Sequence, residues 1–316
     1  MNHRIYFDEG PHKYFDDFGN PFTSTTTVIE KYVEQFDTNA MAYRCFRAGL
    51  RGNPKYKGKS VKQIKKEWKD RNTTSLIAGT KEHDYLEQAT KGAGNYYKIQ
   101  RKLKSKQIYT IQDVMDDKTL GVLDLNSPEM LSVKAKYPYI YMTFEILVAN
   151  GYRILSEVGL YDLHWLISGL IDILAVKDDT FKIVDWKTNN DDIRFEAGYW
   201  EHDVNYKAFN YKLQFKKMLP PLLNLDDSVG NHYALQLSTY ARLVENFGLK
   251  NNGIILYHLR KFPYGEDNPL MFGNDWSKLN QVNVHKFPYL KTEVERMLDH
   301  HLNLTSAGTV GQLALR

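Results

Sequence analysis

Asp172, Asp185 and Lys187 are the residues of this 316-residue chain whose types and spacing best suit chemistry. Two carboxylates can hold a hard divalent cation through oxygen. A lysine beside them can orient or deprotonate a water and offset developing negative charge. Such a group suits metal-dependent cleavage of a phosphodiester. The elements that must position it are two apolar runs, Leu166 to Val176 and Phe181 to Val184, which read as strands. The turn-like Lys177-Asp178-Asp179-Thr180 between them predicts a hairpin. Residues two apart on a strand share a face, so Asp185 and Lys187 point the same way and Asp172 meets them from the neighbouring strand. Taken alone, Asp185-Trp186-Lys187 reads first as a surface salt bridge at a strand end.

Three further segments bear on that choice. Gly79 to Glu87 lies within a stretch that reads as a helix, and His83 and Glu87, four apart, share one of its faces. A lone helical histidine is more often structural than a ligand. Glu157 sits in Ser156-Glu157-Val158-Gly159-Leu160-Tyr161, a strand-like segment just before the hairpin, where a solvated strand face is the plain alternative. From His232 to Glu245 an apolar stripe predicts a helix that carries Gln236 and Tyr240 one turn apart.

Jointly these segments resemble the RecB-like branch of the PD-(D/E)xK nuclease superfamily over about residues 75–260. The matching positions are Gly79, His83 and Glu87; Glu157; Gly169 and Asp172; Asp185, Lys187 and Thr188; and Gln236 with Tyr240. Ile171 stands where the motif nominally has proline. The stretch His12-Lys13-Tyr14, followed by Gly19, is similar to phage-type members. The resemblance implies an α/β (α+β) restriction-endonuclease-like core, a central mixed sheet flanked by helices. It implies His83, Asp172, Asp185 and the main-chain carbonyl of Trp186 as metal ligands, with Glu157 tuning or completing the site. Lys187 becomes the catalytic lysine, and Gln236 and Tyr240 brace the site or contact the DNA backbone. The implied cofactor is Mg²⁺, with Mn²⁺ able to substitute. Some branches hold an iron–sulfur cluster on four cysteines; with Cys45 as its single cysteine this chain is expected to hold none, and no Cys₄ zinc. A lone thiol also fits a reducing cytoplasm.

Arg44 to Arg71 is strongly basic, with Tyr56 and Trp68 interleaved, and a second basic cluster runs from Lys98 to Lys106. Basic residues track phosphates and aromatics stack on unpaired bases, so Lys62, Lys65, Lys66, Trp68, Arg101 and Lys102 are candidate DNA contacts; a solvated helix face is the alternative. The net charge of +4 makes the electrostatics local. Gly52 to Ser60 mimics a phosphate-binding loop, but its spacing is one residue too long and no apolar strand precedes it, so no ATP site is expected. No apolar run approaches a membrane span, and the first residues lack a signal region.

The organisation expected is a hairpin and basic helical region over 1–74 that contacts DNA, a nuclease core over 75–260 with an irregular insertion at about 190–231, and a C-terminal extension over 261–316 packed on the core. A helix capped by the run Ser24-Thr25-Thr26-Thr27 extends to about Glu34, one long helix spans Ser127 to Ala149, strands fall near 152–161, 166–177, 181–188 and 254–259, and the stretch from Asn280 to Asn303 ends in a helix. The function expected from the resemblance is metal-dependent hydrolysis of DNA by an exonuclease acting on ends, in recombination, repair or replication. By analogy the setting is phage DNA processing in a bacterial cytoplasm, beside a single-strand annealing protein or a helicase. An endonuclease on the same fold and an inactive DNA-binding module are the alternatives.

Overall fold

The computed structural model describes residues 4–8, 10, 11, 13–189, 192–202, 209–260 and 281–313. The chain forms two compact units, Met1–Val33 with Tyr85–Arg316, and Glu34–Asp84.

The larger unit begins with β1 (Ile5–Asp8), β2 (Lys13–Phe15) and β3 (Pro21–Ser24), then α1 (Thr25–Glu30). Within the expected capping run, Ser24 is the residue that caps α1, its hydroxyl accepting the Thr27 N–H. The helix ends at Glu30, short of the expected Glu34. The smaller unit holds α2 (Thr38–Leu50) and the first part of α3 (Val61–Ala93), which then continues into the larger unit. The basic helix and the His83 helix of the sequence are therefore one element, running through position 74. The larger unit resumes with α4 (Tyr96–Gln100), β4 (Gln107–Ile108), α5 (Ile111–Asp116), α6 (Pro128–Lys136) and α7 (Pro138–Ala149). The single long helix expected over 127–149 is thus two. Pro138 cannot supply an N–H to a preceding turn and pushes Tyr137 to φ −134°, so α6 stops there and α7 starts with proline in its first turn.

Next come β5 (Arg153–Asp162), β6 (Ile167–Lys177) and β7 (Thr180–Lys187), close to the strands expected. The insertion, expected to be irregular, contains a two-stranded sheet of β8 (Gly198–His202) and β9 (Phe209–Leu213). After α8 (Val229–Glu245) and β10 (Lys250–Arg260), the C-terminal part adds a strand not foreseen, β11 (Gln281–Phe287), before α9 (Lys291–Leu313). His12 and residues 261–280 lie outside the described residues.

The result is an α/β protein with a mixed nine-stranded sheet, ordered β11-β10-β7-β6-β3-β2-β1-β4, with β5 also paired to β6. The N-terminal hairpin is part of this sheet, because β3 pairs in parallel with β6. β6 organises the site. One of its edges is taken by β5 along nearly its whole length. The other edge is shared: β7 pairs with residues 173–177 and β3 with residues 167–168, which leaves residues 169–172 between them. β10 lies parallel to β7, with Leu256 opposite Asp185 and His258 opposite Lys187.

Successive residues of β7 enter different cores. Phe181 and Ile183 pack with Leu235, Leu237 and Leu243 of α8, whereas Val184 and Trp186 pack with Tyr141 and Phe144 of α7. Asp185 and Lys187 therefore project to the α8 side by the strand's alternation. No helix among the described residues is long and apolar enough to cross a membrane.

Candidate metal centre

Glu157 and Asp172 fall on one rung of the sheet, and Asp185 lies one residue past the end of the next ladder. Ser156 pairs with Ile173 and Val158 with Ile171, so Glu157 stands opposite Asp172. Ile173 pairs with Val184, the last pair of the β6–β7 ladder; Asp172 and Asp185 are the next residues beyond it, and the Asp172 carboxylate accepts the Trp186 backbone N–H at 3.3 Å. Carboxylate oxygens of Glu157 and Asp172 lie within 4.8 Å of each other. All three residues are buried.

Glu157 has a φ of +54°, in the left-handed region, in the middle of a strand. Holding a non-glycine residue there costs about 1–2 kcal/mol. The ladder skips this residue, and the buried Tyr109 hydroxyl donates to the neighbouring Ser156 carbonyl. The kink re-aims one carboxylate without shifting the register on either side.

Lys187 Nζ lies 2.8 Å from Asp185 Oδ1. The salt bridge suggested by the triplet alone does exist, but it is buried beside a second carboxylate rather than at the surface. Burial by itself pushes the Lys187 ammonium down; the charges of Asp185 and Asp172 outweigh this and hold it above its ordinary value. The Lys187 ammonium also sits 5.3 Å from the centre of the Tyr233 ring. The Tyr233 hydroxyl donates to Asn189 Oδ1, and His258 holds the Asn189 carbonyl with its ring nitrogen at 2.7 Å.

Gly169 and Tyr240 explain each other. A Cβ placed on Gly169 would stand 2.4 Å from Tyr240 Cε1, so only glycine lets this ring lie against β6. Gln236 Nε2 donates to the Tyr240 hydroxyl at 3.0 Å, fixing the ring from one helical turn away. Burial is the largest effect on that hydroxyl, and its pKa is pushed up to about 12.

On α3, Glu87 pairs with Lys91, and the Lys91 ammonium lies 4.6 Å from the centre of the Tyr96 ring. Burial lowers the Lys91 pKa, but the Glu87 hydrogen bond and the Glu157 charge leave it raised. Tyr14 on β2 is buried near Tyr240 and Glu157, and its hydroxyl is pushed up by burial and by both neighbours. His83 stands on α3 one helical turn before Glu87, within the smaller unit.

Sequence reasoning missed Lys91, Tyr233 and His258. An i,i+4 acid–base pair at Glu87 and Lys91 was a readable signal. The other two are recruited by pairing and packing remote in sequence. Of the candidate DNA contacts, Lys62 and Lys66 are exposed. Lys65 donates to Asn39 at 2.6 Å, and Trp68 is half-buried with its ring 6.3 Å from that of Phe36. Arg101 and Lys102 are exposed after α4, where Lys102 lines a cleft with Arg4, Lys104 and Gln107.

In the larger unit, the Lys91 ammonium faces Glu87 and Glu157, and the Lys187 ammonium faces Asp185 and Asp172. Glu157, Asp172 and Asp185 are all buried carboxylates. Their oxygen donors suit a hard divalent ion. No protein-family model matches this chain, and no curated protein matches its sequence.

Proposed function

We propose that the chain is a metal-dependent deoxyribonuclease with a PD-(D/E)xK core of the RecB-like kind, acting as an exonuclease on DNA ends. The observation that carries the reading is buried Glu157 opposite Asp172, with buried Asp185 just past the end of the β6–β7 ladder and Lys187 bonded to Asp185. Glu157, Asp172 and Asp185 would hold Mg²⁺, or Mn²⁺ in its place; His83 and the Trp186 carbonyl are the further ligands that the motif assigns. When bound, the ion polarises a phosphoryl oxygen and lowers the pKa of a water.

The chain's own residues do the rest. Asp185 orients the Lys187 ammonium toward the carboxylate rung, where it can hold a water and offset charge developing on the phosphate. Tyr233 confines that ammonium from one side. The Gln236–Tyr240 pair, seated on Gly169, fixes the wall of the site over residues 169–172 of β6. Lys91 balances Glu87 and Glu157. The exonuclease assignment, the phage-type setting in a bacterial cytoplasm, and a single-strand annealing protein or helicase as partner follow from the motif resemblance.

The test is digestion of matched linear and covalently closed circular DNA by the wild-type chain in Mg²⁺, Mn²⁺ or EDTA. Loss of linear DNA alone, only with metal, is the expected result. Cutting of circles would replace the exonuclease with an endonuclease. Folded protein that binds DNA and cleaves none of these substrates would contradict the enzyme.

A further inference from the structure

The unit Glu34–Asp84 holds twelve of the chain's 42 lysines and arginines but six of its 38 aspartates and glutamates. It is therefore basic, whereas the remainder of the chain is slightly acidic. Within this unit, α2 presents one exposed face made of Tyr43, Arg44, Arg47, Leu50 and Arg51, the last being its C-cap. At 3.6 residues per turn these positions cover about a third of the helix circumference. The opposite side carries Ala42 and Gly49, both buried, and Gly49 packs against the Tyr56 carbonyl.

α2 contains no acidic residue. Arg47 and Arg51, in the last turn and at the C-cap, suit the negative end of the helix dipole, but Arg44 and Arg47, three apart, and Arg47 and Arg51, four apart, repel each other. None of the three makes an ion pair among the described residues. Tyr43 is 56% exposed and Leu50 72% exposed between them. Tyr43, whose ring lies 6.2 Å from that of Phe46, and Leu50 stand open among the arginines, whereas a surface that reads only phosphates needs the arginines alone. Guanidinium groups alternating with open apolar side chains match a strand whose phosphates and unpaired bases are both accessible. The basic residues foremost in the sequence are partly committed elsewhere, with Lys65 held by Asn39 and Trp68 set against Phe36.

We infer that this face of α2 docks single-stranded DNA, with Arg44, Arg47 and Arg51 on phosphates and Tyr43 stacked on a base. That the strand is DNA rests on the proposed function; the docking surface does not.

The test is equilibrium binding of a fluorescent dT20 oligonucleotide to the full chain in EDTA, from 50 to 200 mM KCl. A blunt duplex of equal length and anionic lipid vesicles serve as further probes. Circular dichroism checks that each variant is folded. Tyr43→Ala weakens dT20 binding about 10-fold at fixed salt. The triple variant R44Q/R47Q/R51Q flattens the log–log salt slope by about 2, since each phosphate that a single strand no longer has neutralised is worth about 0.7. Both variants binding dT20 like the wild type would overturn the inference. So would a loss of binding on the duplex alone, or wild-type binding to vesicles without binding to dT20. The assay contains no metal and reads no cleavage. A chain that binds dT20 through α2 and cleaves nothing would therefore sink the nuclease and leave this surface standing, and the converse result would do the opposite.

Discussion

Gly169→Ala places one methyl group where the structure has no room. The new Cβ would lie 2.4 Å from Cε1 of Tyr240 and 3.2 Å from two further ring carbons. Carbon atoms pack at about 3.5–4.0 Å, so the ring or the strand must yield by more than about 1 Å. The ring is poorly placed to yield. It is buried, its hydroxyl is held by Gln236, and α8 is packed into the core through Leu235, Leu237 and Leu243. Overpacking of this kind costs about 1–3 kcal/mol. The same displacement moves the wall of the candidate metal centre three residues from Asp172, and a shift of about 1 Å near reacting groups can cost about 100-fold in rate. Urea denaturation should show the modest stability loss, and end-labelled DNA digestion the much larger loss of rate. Adding Tyr240→Leu should recover the stability and leave the rate low, because the clash goes but the Gln236–Tyr240 wall goes with it. Gly169→Ala protein with wild-type stability and rate would refute the close approach. So would a double variant no more stable than the single one.

Mg²⁺ should raise the melting temperature of the wild-type chain, by an amount equivalent to about 2.7 kcal/mol at a hundredfold excess over its dissociation constant. Asp172→Asn should remove most of that rise, and an undiminished rise would place the ion elsewhere. His301 on α9 is buried, and burial first, then Lys31 and His300, lower its pKa from 6.5. The unfolded chain binds that proton more readily, so this residue's contribution to stability is present above about pH 6.5 and lost as pH falls through the lower folded value. Denaturation at pH 5 and 7.5 should show a shallower pH dependence for His301→Gln, and equal dependence would exclude His301 as a source. Ser24→Ala deletes the cap of α1 and should cost about 1 kcal/mol by denaturation without slowing cleavage; a rate loss would tie Ser24 to the site.

The strands that carry the carboxylates were legible because β6 is a nearly unbroken apolar run, β5 alternates apolar residues, and the turn Lys177–Thr180 leads into the apolar start of β7. The pairing of Asp185 with Lys187 followed from spacing alone. What the sequence concealed was set at long range or by side chains. Asn72, Thr73, Thr74 and Ser75 look like a break between two helices. The Thr73 and Thr74 hydroxyls instead bond back to the carbonyls of Lys69 and Asp70, at 3.0 and 2.9 Å, and α3 continues through them. Pro138 divides α6 from α7 although the apolar pattern runs on across it. β11 is a sheet strand with Val284 half exposed, and its seven-residue register with β10 depends on a partner distant in sequence. Gly169 and Tyr240 were both visible as motif positions, but their close approach across 71 residues was not. Nor does any local pattern foretell the positive φ of Glu157.

The proposed function makes Glu157, Asp172 and Asp185, with Lys187, responsible for phosphodiester hydrolysis. The most direct measurement is single-turnover cleavage of end-labelled linear DNA in Mg²⁺ by the wild type, Lys187→Ala and Asp185→Asn. Folding and DNA binding are checked in parallel. Metal-dependent cleavage by the wild type, reduced about 1000-fold or more in both variants while they still fold and bind DNA, is the result predicted. Cleavage that persists at the wild-type rate in either variant would contradict it.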